Sequence, residues 1–111
     1  MRGLLSLPEP PTAVFCANDE MAIGALMEAY EMGLKIPGDI SIVGFDCTPG
    51  SANVYPPLTS VQQPIGELSA AAVRALKELI EGREPETTPV FSTQLVVRAS
   101  TSCPKEYTNE S

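Results

Sequence analysis

The sequence predicts an α/β fold, a parallel sheet flanked by helices, and three observations predict it. Three apolar runs rich in β-branched and aromatic residues read as strands: Ala13-Val14-Phe15-Cys16-Ala17, Ile40-Ser41-Ile42-Val43-Gly44-Phe45 and Leu58-Thr59-Ser60-Val61. Stretches whose apolar residues recur at helical three-to-four spacing follow the first and the third run. Each run ends on hydrogen-bonding side chains: Asn18, Asp46 and the pair Gln62-Gln63. In open α/β sheets ligands bind in the crevice beyond the carboxyl ends of the strands, so the same pattern marks a candidate ligand site.

Pro8-Glu9-Pro10-Pro11-Thr12 reads as an extended lead-in, because three prolines remove backbone donors and fix φ. The first strand spans about 13–17. Asn18 or Asp19 then caps a helix with Met21, Ala22, Ala25, Leu26, Ala29 and Met32 as its buried face, and Gly33 stops it. Ile23, Met27 and Tyr30 form a second apolar set on another face of that helix. A helix apolar on two faces is covered on both, and a partner subunit is the simplest second cover. Pro37-Gly38-Asp39 turns the chain into the second strand, 40–45, an almost continuous apolar run of the kind buried on both sides of a parallel sheet. The strand-helix-strand order implies a right-handed crossover. A Gly-, Ser-, Asn- and Pro-rich loop, 47–57, precedes the third strand at 58–61. Pro64 suits the first turn of a one-sided amphipathic helix carrying Ile65, Leu68, Ala72, Ala75, Leu76, Leu79 and Ile80, with Gly82 just past its end. Residues 83–89 read as a connector. In 90–101, a β-rich segment, Phe91, Thr93, Leu95 and Val97 alternate with smaller or more polar neighbours, and a polar tail expected to be disordered begins at Ser102.

A chain of 111 residues allows one modest domain or less. The absence of histidine excludes imidazole acid-base chemistry. Fourteen acidic against seven basic residues give a net charge of −7, and no Lys/Arg cluster exists to neutralise a phosphate backbone, so this chain is not expected to bind DNA by itself. Cys16, Cys47 and Cys103 are odd in number and show no CxxC spacing, which supports neither a metal site nor a complete disulfide framework and suits a reducing cytoplasm. The apolar patch in residues 1–7 is too short, and too soon broken by proline, for a signal peptide or membrane span. No dinucleotide fingerprint, P-loop, metal spacing or nucleophile elbow occurs, so neither an enzyme nor a cofactor is expected.

Three segments together carry a resemblance: Phe15-Cys16-Ala17-Asn18-Asp19-Glu20-Met21-Ala22-Ile23-Gly24, then Gly33-Leu34-Lys35-Ile36-Pro37-Gly38-Asp39-Ile40-Ser41-Ile42-Val43-Gly44-Phe45-Asp46, then Pro57-Leu58-Thr59-Ser60-Val61-Gln62-Gln63-Pro64. With the closing Leu95-Val96-Val97-Arg98-Ala99-Ser100-Thr101, they resemble the LacI/GalR family of bacterial transcription repressors over nearly the whole chain after residue 11. The resemblance implies part of a periplasmic-binding-protein-like type I fold with an incomplete second lobe. Residues 1–62 and the return strand 92–101 would form the C-terminal subdomain, 63–91 would belong to the N-terminal one, and 102–111 would be a tail. Helix 64–81 would then lack the sheet of its own lobe. By the same resemblance Asn18, Asp46 and Gln63 contact a small-molecule effector, sugar-like or nucleobase-like, and Ile65 stands where some members put an aromatic against a sugar face. Ile23 and Val54 match dimer-interface positions, and Met27 shares the second apolar set with Ile23. DNA would be reached only through an N-terminal head outside this chain. A sugar-binding periplasmic protein of a transporter is the alternative.

Each of these residues also has a plainer reading. Asn18 and Asp19 suit a helix cap, Asp46 a turn, Gln62 and Gln63 a hinge, Ile23 the core and Val54 a loop surface.

Overall fold

Three adjacent strands and the helix joining the first two form the frame that positions the candidate site. In the computed structural model, which describes residues 1–85 and 89–105, these are β1 (Ala13–Phe15), α2 (Asp19–Glu31), β2 (Ser41–Phe45) and β3 (Thr59–Gln62). A four-residue helix α1 (Arg2–Leu5) precedes them, a 3₁₀ turn (Pro49–Ala52) lies between β2 and β3, and α3 (Ile65–Ile80) and β4 (Gln94–Val96) follow. The strands form one open sheet in the order β1-β2-β3-β4. β1 pairs parallel with β2 in the register Ala13 to Ser41 and Phe15 to Val43, and β2 pairs parallel with β3 with Gly44 opposite Ser60.

Asn18 starts α2 because its side-chain oxygen satisfies the otherwise unpartnered Met21 N–H. Gly33 ends it with φ 77°, a left-handed conformation that a side chain disfavours. The face between these points carries Ala22, Ala25, Leu26 and Ala29, all buried, and the three alanines let the helix lie close to the sheet. Leu26 meets Ile42 and Leu58 there to form the core, each large side chain contributing roughly 1.5–3 kcal/mol by leaving water. Met21 and Met32, expected on this face, are 58% and 37% exposed instead. Met21 is one 100° step round from Ala22, and Met32 lies past the last helical residue, so neither points into the sheet.

On the α2 side of the second strand Ile42 and Gly44 are buried because α2 covers that face, whereas on the opposite face only Ser41 is buried. On the other face Val43 and Phe45 are half-buried, and the Phe15 and Phe45 rings meet edge to face at 6.5 Å. The expected alternation over 90–101 appears only from Leu95 on, residues 92–94 being exposed without it, and there it has a definite phase. Leu95 and Val97 are 60% and 67% exposed, whereas Arg98 is half-buried and Ser100 fully buried. The polar residues turn inward because each finds partners: Ser100 Oγ donates to Ile42 O at 2.5 Å and accepts from Thr59 N–H at 2.8 Å. The stretch read as a free tail begins with anchored residues. Ser102 N–H donates to Ser41 Oγ at 3.0 Å, and Lys105 pairs with Asp39 at 3.1 Å. The remainder of that expectation, 106–111, lies outside the described residues, as does 86–88 of the connector.

The chain divides into two compact units, one of Met1–Gln62 with the residues from Leu95 on, the other of Gln63–Gln94. In the second unit α3 follows Pro64 and ends before Gly82, whose φ is 77°. None of its residues is buried, and of the expected apolar stripe Ile65, Leu76, Leu79 and Ile80 remain 56–77% exposed. Leu68, Ala72 and Ala75 of that stripe, with Ala71 beside them, border a groove with Pro85, Pro89 and Phe91.

Candidate functional site

Because β1 and β2 are parallel neighbours, the residues that leave their carboxyl ends emerge at one edge of the sheet. Asn18 and Asp46 are those residues. Asn18 has an extended backbone, φ −154° and ψ 172°, and its Oδ1 accepts from Met21 N–H at 2.8 Å. Its Nδ2 makes no hydrogen bond among the described residues, so the cap occupies only the acceptor half of the amide. Asp46 is exposed and sits at φ 101°, with Cys47 at φ 55°. Two consecutive non-glycine residues in the left-handed region cost of order 1–3 kcal/mol each and persist only where the surroundings hold them.

The holding groups are specific. Asp46 N–H donates to Val61 O at 2.9 Å, Cys47 N–H to Ser60 Oγ at 3.0 Å, and Thr48 N–H to Asp19 Oδ2 at 2.6 Å. Thr48 Oγ1 also donates to Asp19 Oδ2, at 3.0 Å, and Ser60 Oγ donates to Asp19 Oδ1 at 2.6 Å. Asp19 and Ser60 are both 0% exposed. Arg98 braces the loop from the other side: its guanidinium donates to Ser51 Oγ and Leu58 O, each at 2.8 Å, and to Cys47 Sγ at 3.2 Å. Asp19, Ser60 and Arg98 were not legible as site residues. The Asn18-Asp19 doublet at a strand end and a lone Arg in an apolar run were the available signals, but each is equally a cap or a surface charge.

Gln63 and Ile65 are carried by the second unit. Gln63 is half-buried, directly after the last residue of β3, and its carbonyl accepts from Ile65 N–H at 2.9 Å. Ile65 opens α3 and is 56% exposed. On the first unit Ile23, Met27 and Val54 come together around an apolar depression of about 590 Å³, with Leu26, Tyr30, Glu31 and Tyr55. Met27, Tyr30 and Tyr55 are 62%, 80% and 96% exposed, so the second apolar face of α2 is turned outward and is continuous with the loop after β2.

The Cys16, Cys47 and Cys103 thiols are free, and burial pushes Cys16 above the ordinary thiol value, opposed by the N-terminal ammonium. Among the described residues no group of three or more His, Cys, Asp or Glu is arranged to hold a metal ion. No described helix is long and apolar enough to cross a membrane.

A layered sheet that delivers polar side chains from the carboxyl ends of its strands has the layout of the α/β binding domains. Residues 2–101 match the periplasmic binding protein-like domain, and the chain belongs to that family, with its likeness there to LacI-family repressors. It is 44% identical over 103 residues to the probable HTH-type transcriptional repressor ExuR of Bacillus subtilis, which covers 90% of this chain and 30% of that protein. It is 50% identical over 92 residues to the HTH-type transcriptional regulator MalR of Streptomyces coelicolor, covering 82% and 27%. The structure of the dimeric Lac repressor with a C-terminal deletion matches with a TM-score of 0.75 at 38% identity, over 85% of this chain and 35% of that one. The chain thus spans about 30% of the length of the relatives it matches. These relatives are transcription regulators, which does not favour the transporter alternative.

Proposed function

We propose that this chain is the effector-sensing and dimerising portion of a LacI-type DNA-binding transcription regulator, cytoplasmic and non-enzymatic, that reaches DNA through a separate N-terminal head. Asp46 carries the reading: an exposed carboxylate at the ligand edge of the sheet, on a left-handed backbone whose next two N–H groups are held by the buried Ser60 and Asp19 side chains. Its two oxygens suit a pair of hydroxyls or a ring N–H, and the amides of Asn18 and Gln63 offer both donor and acceptor. A sugar-like or nucleobase-like effector has many polar groups to satisfy, each costing about 1–3 kcal/mol if left unpaired, and such a polar set answers that need. Ile65 would add aliphatic contact where an aromatic would stack.

In this reading residues 1–62 and 92–101 form one subdomain and 63–91 contributes to the other. The effector then changes DNA affinity only through its differential affinity for two relative orientations of those subdomains. Ile23, Met27 and Val54 form the homodimer surface, a role supported by their shared apolar depression and by likeness to a dimeric repressor. The test is calorimetric titration of the intact regulator with neutral hexoses, pentoses and ribonucleosides, comparing wild type with Asp46→Ala. At least a roughly tenfold loss of affinity is expected. An unchanged affinity removes Asp46 from the site.

A further inference from the structure

The fully buried carboxylate of Asp19 has no role in capping α2, since Asn18 already accepts from Met21 N–H. Nor does it pair with a cation among the described residues, although removing a carboxylate from water is costly without compensating bonds. All of its hydrogen bonds run instead to the two segments that carry the 46–48 turn: Thr48 N–H and Oγ1 on Oδ2, and the Ser60 hydroxyl on Oδ1. Ser60 Oγ in turn accepts Cys47 N–H. Of the three successive N–H groups in the turn, the second and third therefore trace to this one carboxylate, while the first is held by Val61 O.

We infer that Asp19 is the positioning residue of the proposed effector site: its carboxylate keeps residues 46–48 in their left-handed form and so sets the direction in which Asp46 presents its own. Gly44 belongs to the same device. An added Cβ there would lie 2.2 Å from Asp19 Oδ1, so only glycine leaves the carboxylate room. With Asp19 released, nothing else within the network accepts Thr48 N–H, and residues at φ 101° and 55° relax toward negative φ, which swings the Asp46 side chain away from its ligand-facing direction. The inference rests on the reading that Asp46 contacts the effector.

The experiment is a double-mutant cycle in the intact protein with Asp19→Asn and Asp46→Ala, titrated with whichever neutral hexose, pentose or ribonucleoside binds wild type. The amide replaces one acceptor oxygen by a donor, so either Thr48 or Ser60 loses its partner. Asp19→Asn is expected to weaken binding roughly tenfold or more alone and to have no further effect on the Asp46→Ala background. Equal losses on both backgrounds would mean that Asp19 only supports the fold, and would overturn the proposal. A neutral Asp46→Ala sinks the site reading itself, and this inference with it. Without any ligand, amide exchange should quicken at residues 46–48 in Asp19→Asn, and unchanged protection there also overturns the proposal. Should Asp19→Asn not fold, Ser60→Ala runs the same cycle with a smaller loss in the same direction.

Discussion

Gly44→Ala tests the construction of the site at the point where the backbone has least freedom. Gly44 lies in β2, a strand hydrogen-bonded on both sides, with Cys16 just past β1 donating to Val43 O and β3 placing Ser60 opposite Gly44. Its new methyl group would sit 2.2 Å from Asp19 Oδ1, 2.9 Å from Leu58 Cδ2 and 3.3 Å from Asp19 Cα. The strand cannot retreat without breaking its ladder, and Leu58 is fully buried, so the carboxylate must move. Overpacking of this kind costs about 1–3 kcal/mol. Displacing Asp19 also loses the charge-assisted bond from Ser60, about 1.5–3 kcal/mol more. A total near 3 kcal/mol or above is a large share of the roughly 5–15 kcal/mol by which domains are stable. Urea unfolding of the intact protein, followed by far-UV circular dichroism, reads the loss as a lower midpoint at constant slope. A decrease below about 1 kcal/mol would refute the reasoning, because the carboxylate would then be able to shift cheaply.

Two further outcomes are expected. Asp39 has its carboxyl held below the ordinary value by the Lys35 N–H, which donates to it at 2.8 Å, and then by Lys105. A depressed carboxyl contributes stability above its unfolded value and loses it as pH falls through the folded one, so the unfolding midpoint of wild type should drop more steeply below about pH 4 than that of Asp39→Asn. Parallel pH profiles would contradict this. Met27→Glu puts a charge into the apolar depression shared with Ile23 and Val54, and sedimentation equilibrium should show at least a roughly tenfold weaker dimer with effector affinity unchanged. An unaltered dissociation constant would exclude Met27 from the interface.

The elements themselves were legible because local chemistry decides them. Apolar runs rich in β-branched and aromatic residues marked 13–17, 40–45 and 58–61, and β1, β2 and β3 fall within or beside those spans. Asn18, Gly33, Pro64 and Gly82 marked the helix ends through capping and φ preferences that depend on a few neighbouring residues. The second apolar face of α2 was likewise visible as Ile23, Met27 and Tyr30, and it is half-buried to exposed as the spacing implied for a face not covered by its own sheet.

Burial phase was not legible in the same way. Leu95 and Val97 look like inward residues and are exposed, while Arg98 and Ser100 turn in, because carbonyl and hydroxyl partners from β2, β3 and the loop between them await them there. Asp19 is the clearest case. In sequence it is an ordinary first-turn acid of a helix, whereas in the structure it is the buried junction of Thr48 and Ser60, residues 29 and 41 positions away. The amino-acid sequence by itself determined β1 to β3, α2, α3 and the edge from which polar groups emerge, since these follow from short-range periodicity and backbone preference. Only the tertiary structure decided which of those groups are spent holding the turn and which remain presented at the surface, because hydrogen-bond partners across parallel strands are set by register and packing rather than by proximity along the chain.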